Sequence, residues 1–228
     1  MWVLGIDSAG AGASASVLRD GAVAASRAAW RPHGQAEILM PMIAAALEEA
    51  GIAAGALDLV GVAVGPGSFT GLRVAIAAAR GLGLALGVPV RGISNFRAMA
   101  AQVPPARRGG RPLIVVLETR RADFYLQRFG PGAVAAGEPV LLGADAAAGW
   151  LPSGPVLLAG DAAARLASAL PERDLDVLGD VTEAAAADVA RLAAADVAAG
   201  IAPAPPRPIY LRAPDVTRPR PPASRLTR

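Results

Sequence analysis

The 228-residue sequence predicts an α/β protein of two lobes. Three observations carry that reading. Short apolar runs open the chain as consecutive strands and then alternate with helical periodicity; a Pro/Gly/Arg break at residues 104–112 ends the pattern; strand-type runs resume beyond it. With 54% hydrophobic and 18% charged residues the chain can bury a sizeable core, so disorder of the whole is excluded.

Residues 2–7 form a buried-type strand that closes on Asp7, followed by the small-residue turn Ser8-Ala9-Gly10-Ala11-Gly12. Residues 14–19 and 22–30 flank Asp20-Gly21, a strong two-residue hairpin signal. A helix follows over 35–50, where Leu39, Ile43 and Ala46 centre a core stripe and Met40, Ala44 and Leu47 widen the apolar arc. Residues 57–64 return to a strand before Gly65-Pro66-Gly67; a helix over 70–87, a strand over 88–92 and a helix from Ser94 complete an order of βββαβαβα. Past the break, strands are expected at 113–117, 123–129, 139–142 and 156–159, with a helix beginning at Gly160-Asp161. An amphipathic helix over 182–199 places Ala186, Val189, Ala190, Ala193 and Val197 on one face. The expected organisation is a lobe over 1–103, a linker over 104–112, a smaller lobe over 113–202 and a Pro/Arg-rich tail over 203–228.

Composition removes several chemistries. There is no Cys and one His, His33, which reads as a solvated residue before a helix. Thiolate and imidazole metal sites and a Cys nucleophile are therefore not available, although carboxylate-bound Mg²⁺ stays open. All 22 basic residues are Arg, so neither a Walker-type nor a Schiff-base Lys exists. The tail holds Arg207, Arg212, Arg218, Arg220, Arg225 and Arg228 against Asp215, which leaves the first 202 residues at −2 within a net charge of +3. It reads as a solvated, extended end, the sharper alternative being contact with nucleic-acid phosphates. Mean hydropathy is +0.42, yet the longest charge-free run, between Asp145 and Asp161, is broken by Gly149, Pro152, Gly154 and Pro155. No membrane span and no export signal are expected.

Two loops carry the functional signal. Asp7 and Ser8 stand at a strand-to-turn junction, where Asp7 either caps its own turn or faces a ligand. Gly65-Pro66-Gly67-Ser68-Phe69-Thr70-Gly71-Leu72-Arg73 joins a strand to a helix. Its spacing is neither a P-loop nor a dinucleotide loop, and it is compatible with anion binding or with a tight structural turn. Asp7, Ser8, Gly65, Gly67 and Ser68 are thus candidate phosphate-loop residues.

The βββαβα start resembles the actin-like, sugar-kinase and Hsp70 (ASKHA) superfamily, which implies RNase H-like lobes, the second reduced here. The 65–73 string closely resembles the signature of the TsaB (YeaZ) family of bacterial tRNA threonylcarbamoyladenosine biosynthesis proteins. Residues 3–8 resemble its first strand, and Gln35-Ala36-Glu37-Ile38-Leu39-Met40-Pro41 its His-Ser-Glu-x-Leu-x-Pro helix start, with Gln35 in place of His. Leu117-Glu118-Thr119-Arg120-Arg121-Ala122-Asp123-Phe124-Tyr125 and Pro208-Ile209-Tyr210-Leu211-Arg212 are similar to its later motifs, the first with Glu118, Ala122 and Asp123 as departures. The resemblance implies a cytoplasmic, non-catalytic subunit, without a cofactor of its own. It would activate a TsaD-type transferase, with a TsaE-type ATPase as third partner and tRNA as substrate. It also implies pairing, with TsaD or as a homodimer, through the helices over 35–50 and 70–87. Met40, Leu47, Val74, Ala78, Gly81 and Ala85 are the candidate partner-facing residues. The alternative is an ATP-dependent small-molecule kinase or hydrolase, with Asp7, Glu118 and Asp161 holding Mg²⁺.

Deleting residues 215–228 separates the two readings of the tail. If the tail is solvated, the deletion leaves the salt dependence of tRNA binding by the whole complex unchanged; if it contacts phosphates, the deletion weakens binding and flattens its salt dependence.

Overall fold

The computed structural model describes residues 1–30, 34–130, 134–202 and 205–212; His33, Arg218, Arg220, Arg225 and Arg228 lie outside them. The first sheet holds β1 (Trp2–Asp7), β2 (Gly12–Arg19), β3 (Ala22–Trp30), β4 (Leu59–Ala63) and β5 (Val90–Ile93) in the order β3-β2-β1-β4-β5. β1, β2 and β3 form an antiparallel meander, and β4 and β5 add in parallel. The second sheet, from β6 (Leu113–Glu118), β7 (Asp123–Phe129), β8 (Val140–Gly143), β9 (Val156–Ala159) and β10 (Leu175–Val177), runs β10-β9-β6-β7-β8. Its pairings are again a meander followed by parallel strands, so it repeats the first sheet strand for strand.

Strand alternation decides which layer each residue joins. In β1 and β4, Leu4, Ile6, Val60 and Val62 face outward onto helices α1 (Gln35–Glu49) and α2 (Phe69–Leu86). Val3, Leu59 and Ala63 face the centre of the molecule. In β6, Ile114 and Val116 pack on α5 (Ala144–Trp150) and α6 (Ala163–Ala169), while Leu113, Val115 and Leu117 face the same centre. Between the sheets lie α3 (Asn95–Ala101) and α7 (Ala186–Ala198).

These two helices are exchanged. α3 ends the first half of the chain but lies against β6 of the second sheet; α7 ends the second half but lies across β1, β2 and β4 of the first. The expected lobe boundary at residue 202 is corrected accordingly, since the chain returns to the first sheet at α7. Ile209 N donates to the Val64 carbonyl there, and the segment then reaches the second sheet, where Arg212 pairs with Asp123 at the start of β7. Periodicity gave α7 an apolar face without naming the sheet that receives it.

The expected linker also proves to be structured. It contains α4 (Pro105–Arg108), and Arg108 is buried although no carboxylate among the described residues meets it. Its guanidinium donates to the carbonyls of Ala100 (2.7 Å), Val103 (2.9 Å) and Gly130 (2.6 Å), pinning the end of α3 to the end of β7. Carbonyls beyond the last turn of a helix carry the negative end of its dipole, which suits a cation. Other departures are α5 and β10, which were not anticipated.

α2 is long and apolar enough to cross a membrane by length and composition alone, which the expectation of no such run did not register. Counting charge-free runs passed over it because Arg73 and Arg80 interrupt the window. In the fold its Leu72, Ala75, Ile76 and Ala79 are buried on the sheet.

Glycine makes the seat of α7. A Cβ on Gly5 would lie 2.0 Å from the Ala186 carbonyl oxygen, and one on Gly61 2.9 Å from Ala193 Cβ. Gly5→Ala is expected to lower the unfolding free energy by about 1–3 kcal/mol in urea denaturation. Gly55→Ala, which meets nothing within 4 Å, leaves the midpoint nearly unchanged.

Candidate functional site

A cleft of about 420 Å³ opens between the sheets. Because the sheets repeat, they supply equivalent positions: Asp7 ends β1 as Glu118 ends β6, both lining the cleft, and Gly65 follows β4 as Gly160 follows β9. Met99, Leu117, Tyr125 and Ala184 supply apolar lining, and Asp161, Thr182 and Glu183 add polar groups.

On the first-lobe wall the two candidate phosphate loops interlock. Ser8 is fully buried and its hydroxyl donates to the Gly71 carbonyl at 2.7 Å. Ser68 N donates to the Ala9 carbonyl at 2.7 Å, and Ser68 Oγ caps α2 by accepting from Gly71 N at 3.2 Å. A Cβ on Gly67 would sit 2.4 Å from the Ala9 oxygen, and one on Gly71 1.9 Å from the Ser8 oxygen. These glycines serve the contact between the loops. Gly65 has φ +100°, and a Cβ there would meet Leu72 at 2.9 Å. The structural-turn reading therefore accounts for Ser8, Gly65, Gly67 and Ser68.

Asp7 is the buried acid of this wall. Its Oδ1 accepts from Ala9 N at 3.0 Å and from Asn95 Nδ2 at 3.3 Å. Asn95 Oδ1 in turn accepts from Gly65 N at 2.8 Å, so one side chain ties β1, the glycine loop and α3 together. Burial outweighs these hydrogen bonds and pushes the Asp7 pKa up to about 6, with Glu183 adding like-charge repulsion. Sequence reading missed Asn95, whose only signal was its place just after Ser94 at a helix start.

The opposite wall is closed in the same manner. Glu118 accepts from Thr119 N (2.9 Å) and Arg120 N (2.7 Å) and pairs with Arg165. Arg120 takes a left-handed φ of 59° at this turn. Asp161 Oδ1 accepts from Glu118 N at 2.9 Å, and burial, together with Glu118 and Glu183, holds its pKa above the usual range. Asp7, Glu118 and Asp161 share the cleft, yet no group of three ligands able to hold a metal forms among the described residues. The nucleotide that ASKHA folds imply fits this lining poorly, because Asp7, Asp161 and Glu183 oppose phosphate charge and Glu118 is committed to Arg165.

The candidate partner-facing residues are divided. Met40 is 46% exposed, and Gly81 and Ala85 are exposed; Val74 and Ala78 are half-buried against the lobe's own core. Leu47 is corrected to core, because it turns inward beside Ile43 and Ala46.

Two repeated sheets with exchanged helices around a cleft define the ASKHA class. The chain belongs to the TsaD family, described as tRNA N6-adenosine threonylcarbamoyltransferase, whose model matches residues 27–208, and within it to the YeaZ (TsaB) proteins. It is similar to YeaZ from Pseudomonas aeruginosa, at 25% identity over 92% of this chain and 99% of that one, with a TM-score of 0.80. A second P. aeruginosa structure, described as an uncharacterized protein with similarity to peptidase YeaZ, is 26% identical over the same shares, with a TM-score of 0.79. A ROK hexokinase from Thermus thermophilus shares the fold, at 18% identity over 87% of this chain and all of that one, with a TM-score of 0.53. No curated protein matches the chain.

Asp7 gives a pH signature. With a folded value near 6 and an ordinary value of 3.8, the folded state holds the proton longer. The contribution of Asp7 to stability is therefore greatest below about pH 4 and is lost as pH rises through 6, about 3 kcal/mol in full. Asp7→Asn is expected to be the more stable protein in urea at pH 8 and to lose that advantage at pH 4.

Proposed function

We propose that this chain is a non-catalytic, cytoplasmic subunit that pairs with and activates a TsaD-type transferase in forming threonylcarbamoyladenosine next to the anticodon of tRNA. A TsaE-type ATPase is the third partner. The observation that carries the proposal is the outward edge of α2, in a chain whose family is associated with tRNA modification. At about 100° per residue, Val74, Ala78, Gly81 and Ala85 fall on one edge of the helix. Exposed Met40 and Ala44 extend this small, apolar surface onto neighbouring α1. Small residues let a second helix approach closely, and a second copy of this chain presents the same helix pair.

The cleft supports an accessory role. Its loop glycines are occupied in packing, Asp7, Glu118 and Asp161 are hydrogen-bonded or ion-paired, and the chain has no Lys, no Cys and a single His. The kinase alternative needs phosphate and metal held together in that cleft, where the lining is acidic and no three-carboxylate group forms among the described residues.

Gly81→Leu tests the pairing edge. Nothing lies within 4 Å of a Cβ at Gly81, so the isolated variant keeps its melting temperature. Overpacking at an interface costs roughly 1–3 kcal/mol, and affinity for the co-purified transferase should fall at least about fivefold. Gly83 is the contrast: a Cβ there would lie 2.3 Å from Val90 Cγ2, so Gly83→Leu unfolds the protein itself. Normal pairing by a folded Gly81→Leu would remove this edge from the interface.

A further inference from the structure

The other edge of α2 has a different chemistry. By the same helical arithmetic Phe69, Arg73, Arg80 and Leu84 fall together, well around the helix from Gly81 and Ala85. The segment 205–212 crosses this edge and adds Arg207 and Tyr210. Arg80 donates to the Pro206 carbonyl, and Arg73 Nε donates to the Tyr210 hydroxyl at 3.2 Å. The Arg73 guanidinium also lies 3.8 Å from the centre of the Phe69 ring, and the Phe69 and Tyr210 rings are 5.7 Å apart. Phe69 is 50% and Tyr210 48% exposed, with Arg73, Arg80 and Arg207 exposed beside them.

Charge sets this surface apart. From residue 59 to 117 the sequence has seven Arg and no acid, and from 197 to 212 it again has Arg without an acid. Most Arg of the first stretch are spent inside the fold: Arg97 pairs with Asp196, Arg107 with Asp180 and Arg111 with Asp176, while Arg91 and Arg108 are buried on carbonyls. Arg73, Arg80 and Arg207 pair with no carboxylate among the described residues.

We infer that Phe69, Arg73, Arg80, Arg207 and Tyr210 form a contact surface for single-stranded RNA, the guanidinium groups following phosphates and a base stacking on the exposed rings. The inference rests on the assignment of the chain to tRNA modification and adds a direct RNA contact on its described residues. A neutral protein face would have to desolvate three guanidinium groups that meet no carboxylate among the described residues, whereas a polyanion meets them by releasing counterions. Exposed rings are wasted on a double-stranded backbone but suit unstacked bases, so a tRNA loop fits better than a stem. Arg73 holds the two rings together and still has donors for a phosphate.

The test is fluorescence anisotropy of the purified full chain with a fluorescein-labelled anticodon stem-loop RNA over a salt series. Wild-type protein binds; Phe69→Leu and Tyr210→Ala each weaken binding roughly 5- to 100-fold with the salt slope kept, because they remove stacking. Tyr210→Phe keeps the ring and binds as wild type. Arg80→Gln and Arg207→Gln each reduce the salt slope by about 0.7. Melting temperatures confirm that each variant is folded. Gly81→Leu, on the opposite edge, leaves RNA binding unchanged whether or not it pairs with the transferase. No RNA binding by the wild-type chain overturns the inference, as does binding insensitive to Phe69 and Tyr210. If these variants lose the transferase but not RNA, the surface is a protein interface. Loss of pairing by Gly81→Leu with RNA binding insensitive to the rings would sink this inference alone. The reverse pattern would sink the pairing edge alone.

Discussion

The approach of α7 to the first sheet is the constraint on which the rest of the molecule depends. A helix can lie this close to a sheet only where the strands beneath it lack side chains, and Gly5 and Gly61 stand side by side on β1 and β4 where α7 crosses. With α7 seated, Val189, Ala190 and Ala193 join Val3, Leu59 and Ala63, while α3 closes the facing sheet with Phe96 and Met99. The result is a central core owned by neither half. It also places Thr182 and Glu183, which lead into α7, in the cleft opposite the first-lobe loops. The burial of Asp7 follows from that closure and from the bonds through Asn95.

Element order was legible because each strand and helix writes its own period. The hairpin at Asp20-Gly21, the three opening strands and the helices at α1 and α2 stand where the apolar spacing put them. Affiliation was not legible. A stripe such as Val189, Ala190 and Ala193 shows that a helix is buried, and nothing local says under which sheet. The same limit applied to Leu47, which extends an apolar arc on paper but turns inward once α1 has a tilt. In the site, spacing left anion binding and a tight turn equally open at Gly67 and Gly71. The positions of the Ala9 and Ser8 carbonyls give these glycines a part in the turn, and those carbonyls come from a loop some sixty residues away. Asn95 had no sequence signal stronger than a helix start, because its role is to join two loops that are distant in sequence.

α2 shows how one helix can carry several incompatible surfaces. Its inner face is committed to the sheet through Leu72, Ala75, Ile76 and Ala79. The remaining arc divides into a small, uncharged edge towards α1 and an Arg/aromatic edge crossed by residues 205–212. Both Arg of the helix fall on the second edge, which keeps the first free of charge. A composition that looked uniformly apolar along the sequence is sharply sorted around the axis.

The exchange of α3 and α7 also bears on how the protein is made. The inner face of the first sheet is complete as a surface once β5 has been synthesised, yet the helix that covers it lies some ninety residues further along the chain. Emerging from the ribosome, the first half therefore carries a bare, glycine-floored face until α7 has followed it. Contacts of such long sequence separation form late and slow folding. Until then a nascent chain of this protein remains exposed to chaperones and proteases, and neither half is a natural unit for dissection or fusion.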